Sequence, residues 1–403
     1  MLFVVSSAMD LLPDDVLAQV MSLLSLPDLF QLRLACKRFA SLAFHPDVWR
    51  HRHLKATTAD AEALLYRALR LAPRLGSMQV RLPSSSASCR LLFTAPCAAR
   101  TLWVNIYRGE GAKDAALLIR HQRGLGRLRN VDVLFEKDHR ILSAERKPSK
   151  AHATLLFRTL ASTSGLDSIA VGGLTENYVL SVSTPTPYRL RSTVPASLTR
   201  LFFYVNEALE DVFNFLLAAH AATLKEVDFR ANSFLFWVPS PSAGQLLATM
   251  PNLTSLACPA LHWMDALTVC KSLRRIHFFF GNDCWLNFSA ARDSAAAAFF
   301  RDAHQLQAVH LAHIEGDIAV TLVAALAASG RSCVEWLCID NGEERLSPQL
   351  MQDLLGALPS LPALRRLRVD LTRDPDNART LLSANPTLHV ETGSECLSKF
   401  KPV

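Results

Sequence analysis

No apolar run in this chain of 403 residues reaches the ~18 to 20 positions that a bilayer span requires. Arg, Asp or His interrupts each long apolar stretch, so a membrane partner is not expected. Cys-x-x-Cys is missing too. The nine cysteines, Cys36, Cys89, Cys97, Cys258, Cys270, Cys284, Cys333, Cys338 and Cys396, are odd in number and scattered. That pattern points to reduced, buried thiols rather than a disulfide framework or a metal site. Cys36 in particular reads as a small buried hydrophobe. Catalytic signatures are absent as well: there is no Gly-x-Gly-x-x-Gly, Walker loop, Gly-x-Ser-x-Gly or His-Glu-x-x-His. The histidines make no compact ligand spacing, His310 with His313 reads as surface, and Asp340, Glu343 and Glu344 read as a solvated loop. Neither a catalytic residue nor a cofactor nor a metal ion is expected. Residues 1–8 lack the basic start and the length of a signal peptide and read as a disordered leader, with Met9 at the edge of the first organised segment.

What the chain does hold is core material. Half of its residues are hydrophobic and 21 are Phe, which excludes wholesale disorder. Charge divides along the chain: 6 basic against 5 acidic residues in 1–55, 21 against 10 in 56–200, and 16 against 21 in 201–403. The middle is basic, but its positive residues are spread singly, so no nucleic-acid partner is expected.

The first organised segment opens at Pro13, where a fixed φ and the carboxylates of Asp14 and Asp15 favour a helix start. Val16, Leu17, Val20, Leu23 and Leu24 then fall on one helical stripe. Pro27 and Asp28 restart a second helix through Leu29, Leu32, Leu34 and Cys36; a third begins near Phe39, and Pro46 to Arg50 closes the unit. About 45 residues cannot bury this much apolar surface alone, so the segment packs on a partner or on the rest of its own chain.

Leu12-Pro13-Asp14-Asp15-Val16-Leu17, Leu23-Leu24-Ser25-Leu26-Pro27-Asp28-Leu29, Leu34-Ala35-Cys36-Lys37-Arg38-Phe39 and Pro46-Asp47-Val48-Trp49 resemble, in order and spacing, the F-box family. The departure is Phe39, where the family usually has Trp. The resemblance implies docking onto a Skp-type adaptor, which bridges to a cullin scaffold and its RING subunit in a ubiquitin ligase. By carry-over, Leu12, Pro13, Val16, Leu17, Leu24, Leu29 and Leu32 face the adaptor, and Trp49 is a structural anchor.

Beyond residue 56 the spacing apolar-x-x-apolar-x-apolar recurs, from Leu75/Met78/Val80 and Ala99/Leu102/Val104 through Leu201/Phe203 and Ile276/Phe278 to Leu364/Leu367/Val369, with a truncated copy at Leu388 and Val390. Its mean interval of about 28 residues falls in the leucine-rich-repeat range. Each copy alternates like a short strand and precedes a helical stretch, as at Glu207–Ala222 or Leu346–Leu358, the latter with Ser347 as a cap. The chain resembles irregular leucine-rich repeats behind an F-box. The expected fold is α + α/β: an N-terminal three-helix F-box followed by a solenoid with a curved parallel sheet and helices on its convex side. Its parts would be a leader (1–8), F-box (9–55), helical linker or cap (56–72), solenoid of about 12 repeats (73–392) and tail (393–403).

The strand position between the second and third apolar residues points away from the core. Those positions include Gln79, Trp103, Asp132, Phe202, Asp228, His277, His310, Cys338 and Arg368, flanked by Tyr204, Glu226, Arg230, Arg275 and Phe279. Large aromatics and arginines on such a face are what interface hot spots use. Trp103, Phe202, Tyr204, Asp228, Arg230, Arg275, His277 and Phe279 are therefore the candidate substrate contacts. Arg140, Arg146, Lys147 and Lys150 sit in an inserted stretch, and Ser181–Thr193 form a Ser/Thr/Pro-rich one; both read as surface loops. Together these features describe a non-catalytic receptor that holds an unknown protein substrate for ubiquitination, in the cytoplasm or nucleus. The alternative is a leucine-rich-repeat interaction or inhibitor protein outside any ligase.

Overall fold

The computed structural model describes residues 12–56, 58–83, 90–107, 110–136, 150–173, 195–205, 209–231, 240–280, 289–314, 316–328, 330–340, 348–369, 383 and 388–391. Both inserted stretches, the leader and the tail lie outside these residues, except that Lys150 opens a helix. The chain forms two compact units, Met1–Pro185 and Thr186–Val403.

In the first unit, helices α1 (Asp14–Leu23), α2 (Leu26–Ala35), α3 (Lys37–Leu42) and α4 (Pro46–Trp49) come first. Asp14 and Asp15 lie in the first turn of α1. The Ser25 hydroxyl accepts the Asp28 N–H at 3.3 Å and so caps α2. Cys36 is not the buried hydrophobe expected. It is exposed and stands at the start of α3, where its Sγ accepts the Phe39 N–H at 3.4 Å. Trp49 is fully buried and donates its Nε1–H to the Ala43 carbonyl at 2.7 Å, which makes it an anchor. Arg52 closes the bundle: its guanidinium donates to the carbonyls of Met21 (2.6 Å), Leu24 (2.8 Å) and Val48 (2.8 Å) and lies over the Trp49 ring. It thereby adds a second donor to the Met21 carbonyl, which already accepts the Leu24 N–H at 3.4 Å, and supplies one to the Leu24 carbonyl at the C-terminal end of α1.

The bundle runs straight into a sheet. Strand β1 (His53–Lys55) pairs in parallel with β2 (Arg74–Leu82), which is followed by β3 (Ala98–Ile106), β4 (Asn130–Phe135) and β5 (Ser168–Gly172). The register aligns Leu54, Met78, Leu102, Val131 and Ile169 into one buried row. Each such side chain contributes about 1.5 to 3 kcal/mol when fully buried. The connecting helices are α5 (Ala59–Leu69), α6 (Arg90–Thr94), α7 (Gly111–Gly124) and α8 (Lys150–Ser162). Gly76 lets the sheet meet the bundle: a Cβ there would lie 3.0 to 3.1 Å from backbone atoms of Arg50, His51 and Arg52.

The second unit repeats the scheme. Strands β6 (Arg200–Val205), β7 (Glu226–Ala231), β8 (Ser255–Pro259), β9 (Arg275–Phe279), β10 (Ala308–Ala312), β11 (Trp336–Asp340), β12 (Arg366–Val369) and β13 (His389–Glu391) are all parallel to their neighbours. Helices α9 (Glu210–His220), α10 (Pro241–Ala248), α11 (Ser289–Asp302), α12 (Gly316–Ala328) and α13 (Pro348–Ala357) join them. Between β8 and β9 a 3₁₀ segment, Met264–Val269, takes the place of a helix. A 3₁₀ turn needs fewer residues, which accounts for the short interval from Leu253 to Leu273. The core joins strand to helix through rings: Phe203 to Phe213 (5.8 Å), Phe213 to Phe229 (5.2 Å) and Phe278 to Phe300 (5.3 Å). The fold is thus a helical N-terminal module followed by parallel strand–helix repeats, the leucine-rich-repeat architecture expected from the spacing.

Candidate functional sites

Two surfaces carry the residues singled out by the sequence. The first lies on the helical module. One side of the module is fixed to its own chain: Arg67 of α5 stacks on Phe30 of α2 at 4.7 Å, and Arg74 of β2 reaches Asp47 at 3.3 Å. The module nonetheless keeps apolar groups in water. Leu23 is 86% exposed and Leu34 76%, and Val16 and Val20 are exposed on the same stripe as Leu23. The apolar residues of α1 therefore belong to two stripes: Leu17 faces inward with Met21, while Val16, Val20 and Leu23, at i, i+4 and i+7, face outward.

This corrects two of the adaptor-facing residues. Leu17 and Leu29 are buried in the module's own core and have no surface to offer a partner. Pro13 and Val16 are exposed, and Leu12, Leu24 and Leu32 are half-buried. Val20, Leu23 and Leu34 are exposed too, and none is among the residues carried over, although Leu23 and Leu34 stand within the matching motif segments. Helical phase, with Leu17 taken as the core reference, finds Leu23, about 120° away; Val20, at i+3, is set apart only by the burial of Ala18 and Met21 beside Leu17.

The second surface lies on strands β6 to β9. In register, Phe202 neighbours Asp228, Asp228 neighbours Ala257, Ala257 neighbours His277, and His277 neighbours His310. The Arg230 guanidinium lies between two rings, 5.5 Å from the centroid of Phe202 and 4.6 Å from that of Phe279. Phe202 and Tyr204 meet edge-on at 5.6 Å. Arg275 pairs with Glu226 at 3.3 Å across the intervening Ser255. Of the eight candidate contacts, Phe202, Tyr204, Asp228, Arg230, Arg275, His277 and Phe279 share this face. Trp103 belongs to β3 of the first unit, where it is 41% exposed between Gln79 and Asp132.

Electrostatics mark the floor of this face. Arg230 Nε stands 3.5 Å from Asp228 Oδ1, yet neither atom has a hydrogen-bond partner or solvent exposure among the described residues. Burial raises the Asp228 carboxyl above its usual range, and Arg230 beside it pulls it partly back. His277 does not present itself as a contact. It is 5% exposed because its ring is stacked against Phe279 (4.1 Å) and His310 (3.9 Å). Burial first, then the charges of His310, Arg230 and His313, push its pKa down to about 2, so it is neutral in the folded protein. His310, Cys338 and Arg368 are buried as well, and β10 is buried on both faces. The face is accessible at β6 to β8 and at Arg275 and, in part, Phe279 at the two ends of β9, and closed at His277, His310, Cys338 and Arg368. Among the described residues no group of His, Cys, Asp and Glu has the arrangement of a metal site, and no helix is long and apolar enough to cross a membrane.

Residues 9–55 match the family model described as F-box-like, and the N-terminal module is an F-box-like domain. A search of the curated proteins found no match. Among solved structures, the chain is similar to one in the crystal structure of the yeast Rad7 and Elc1 complex, at 15% identity and a TM-score of 0.41, over 89% of this chain and 86% of that one. It is also similar to a Bacteroides fragilis protein, at 10% identity and a TM-score of 0.35, over 85% and 74% of the two chains.

Proposed function

We propose that this chain, with its F-box-like domain and repeat solenoid, is the substrate-recognition subunit of a Skp–cullin–F-box ubiquitin ligase. The observation that carries the reading is an F-box-like domain fixed to its own chain through Phe30 and Asp47 while Val16, Val20, Leu23 and Leu34 stay in water. Exposed apolar stripes of this kind are stable in solution only at a cost and mark a protein contact. A Skp-type adaptor docks there and links the chain to the cullin and RING subunits. The accessible part of the second unit's face, with Phe202, Tyr204, Arg230, Arg275 and Phe279, takes the target protein. Its aromatic and arginine groups are the types that dominate binding energy. The chain itself performs no chemistry; it acts by proximity, holding a target lysine near the charged conjugating enzyme until transfer occurs. Such ligases work in the cytoplasm and nucleus, and we assign the chain there.

Co-precipitation with a purified Skp-type adaptor tests the reading. The intact chain is expected to bind, and Leu23→Asp with Leu34→Asp to abolish binding without unfolding, since both side chains are exposed. An intact, folded chain that fails to bind the adaptor would overturn the ligase reading and leave a repeat protein that recruits partners directly.

A further inference from the structure

Arg50, Arg74, Arg100 and Arg127 are separated in sequence by 24, 26 and 27 positions, close to the repeat interval. The fold turns that spacing into proximity. Arg74 opens β2, Arg100 lies near the start of β3, and Arg127 stands just before β4. All four therefore sit at the edge where consecutive strands begin. Asp47 holds the first two together, 3.2 Å from Arg50 and 3.3 Å from Arg74. Arg127 is close enough to Arg74 and Arg100 that, after its own burial, their charges lower its pKa. Asp47 is the one carboxylate that pairs with these four guanidiniums among the described residues. Arg74 Nε and Arg127 Nη1 are shielded from water and lack a hydrogen-bond partner. Clustered like charges with unmet donors are costly unless an anion neutralises them.

We propose that this strand-start edge of the first unit binds an acidic, Asp/Glu-rich segment of a partner protein. Guanidinium forks match carboxylates in bidentate geometry. From β2 to β4 the edge is about 10 Å wide at roughly 4.8 Å per strand, the reach of three or four residues of extended chain. Nucleic acid fits less well: among the described residues none of the four arginines has an aromatic ring beside it on which bases could stack. The inference does not depend on adaptor binding.

Fluorescence anisotropy on the full chain tests it, with a labelled peptide of alternating Asp and Glu, its Asn/Gln counterpart, and a single-stranded oligouridylate of matching charge. The acidic peptide is expected to bind, more weakly as salt rises, and the Asn/Gln peptide not to bind. Arg100→Glu with Arg127→Glu should weaken binding about tenfold or more, whereas Lys113→Glu with Arg120→Glu, an equal charge change on the exposed side of α7, should stay within about twofold. If circular dichroism shows the first pair misfolded, Arg100→Gln, at an exposed position, should still weaken binding about threefold. The proposal is overturned if the intact chain ignores the acidic peptide at about 0.15 M salt, if the α7 reversals cost as much, or if oligouridylate binds more tightly.

Discussion

Arg52 shows how much one side chain can carry without a sequence signature. Its three donated hydrogen bonds close the end of α1 and hold Val48 in place, and burial lowers its pKa without threatening its charge. Arg52→Ala is expected to destabilise the helical module by about 2 to 4 kcal/mol. Arg52→Lys should recover little of this, because an ammonium cannot fork to three carbonyls; denaturation of the full chain followed at Trp49 would show it. Histidines give a second test. The pKa of His220 is lowered by burial, and its Nδ1 accepts the Ser197 N–H at 3.1 Å; His277 is held at about 2. In the unfolded chain both protonate near 6.5. Stability is then full above that pH and falls below it, because the unfolded state binds protons that the folded state refuses. Each ring should cost about 1.4 kcal/mol per pH unit below 6.5 until its folded pKa is reached. Thermal melts between pH 7 and 5 should fall steeply, and His277→Asn should flatten the fall. None of this was legible from sequence. Alternation says which face His277 shares with Phe279, but not that rings on β9 and β10 close over it.

At the scale of elements, repeat strands were easy to read because three apolar positions per copy coincide with three buried side chains, as in Leu201, Phe203 and Leu198. The strand β1 was not, since three residues with a single buried Leu54 carry too little alternation to be seen. The stripe on α1 looks like one face in the sequence because five neighbouring apolar residues hide the boundary between inward Leu17 and outward Val16. The basic edge escaped notice for the opposite reason: arginines 24 to 27 positions apart look dispersed until a repeat of nearly that length stacks them. Gly76 gives a test at this scale. Gly→Ala in a strand would ordinarily help by restricting the unfolded chain by about 0.4 to 1 kcal/mol. Here the added Cβ meets backbone atoms at 3.0 to 3.1 Å, which cannot give way like a side-chain tip. The clash should win, with a net loss of about 1 to 3 kcal/mol and faster amide exchange in β1 and β2.

For the whole molecule, thiols report the fold. Cys36 and Cys333 are exposed, whereas Cys97, Cys258, Cys270 and Cys338 are buried, and burial pushes the Cys97 thiol up to about 12. Alkylation of the native chain should modify Cys36 and Cys333 quickly and spare the four buried thiols until denaturant is added; peptide mass mapping would check it. Early labelling of Cys258 or Cys270 would contradict the packing of the second unit. The joint between the helical module and the sheet bears on how chains of this architecture diversify. Because β1 is hydrogen-bonded to β2 and Gly76 lies against Arg50 and Arg52, the end of the F-box-like domain at residue 55 falls at the last residue of a paired strand, between it and its partner β2. A recombination event cutting there would sever the pairing. The heritable cassette is longer than the F-box-like motif, and a transplanted module must bring β2 with it to fold in its new host.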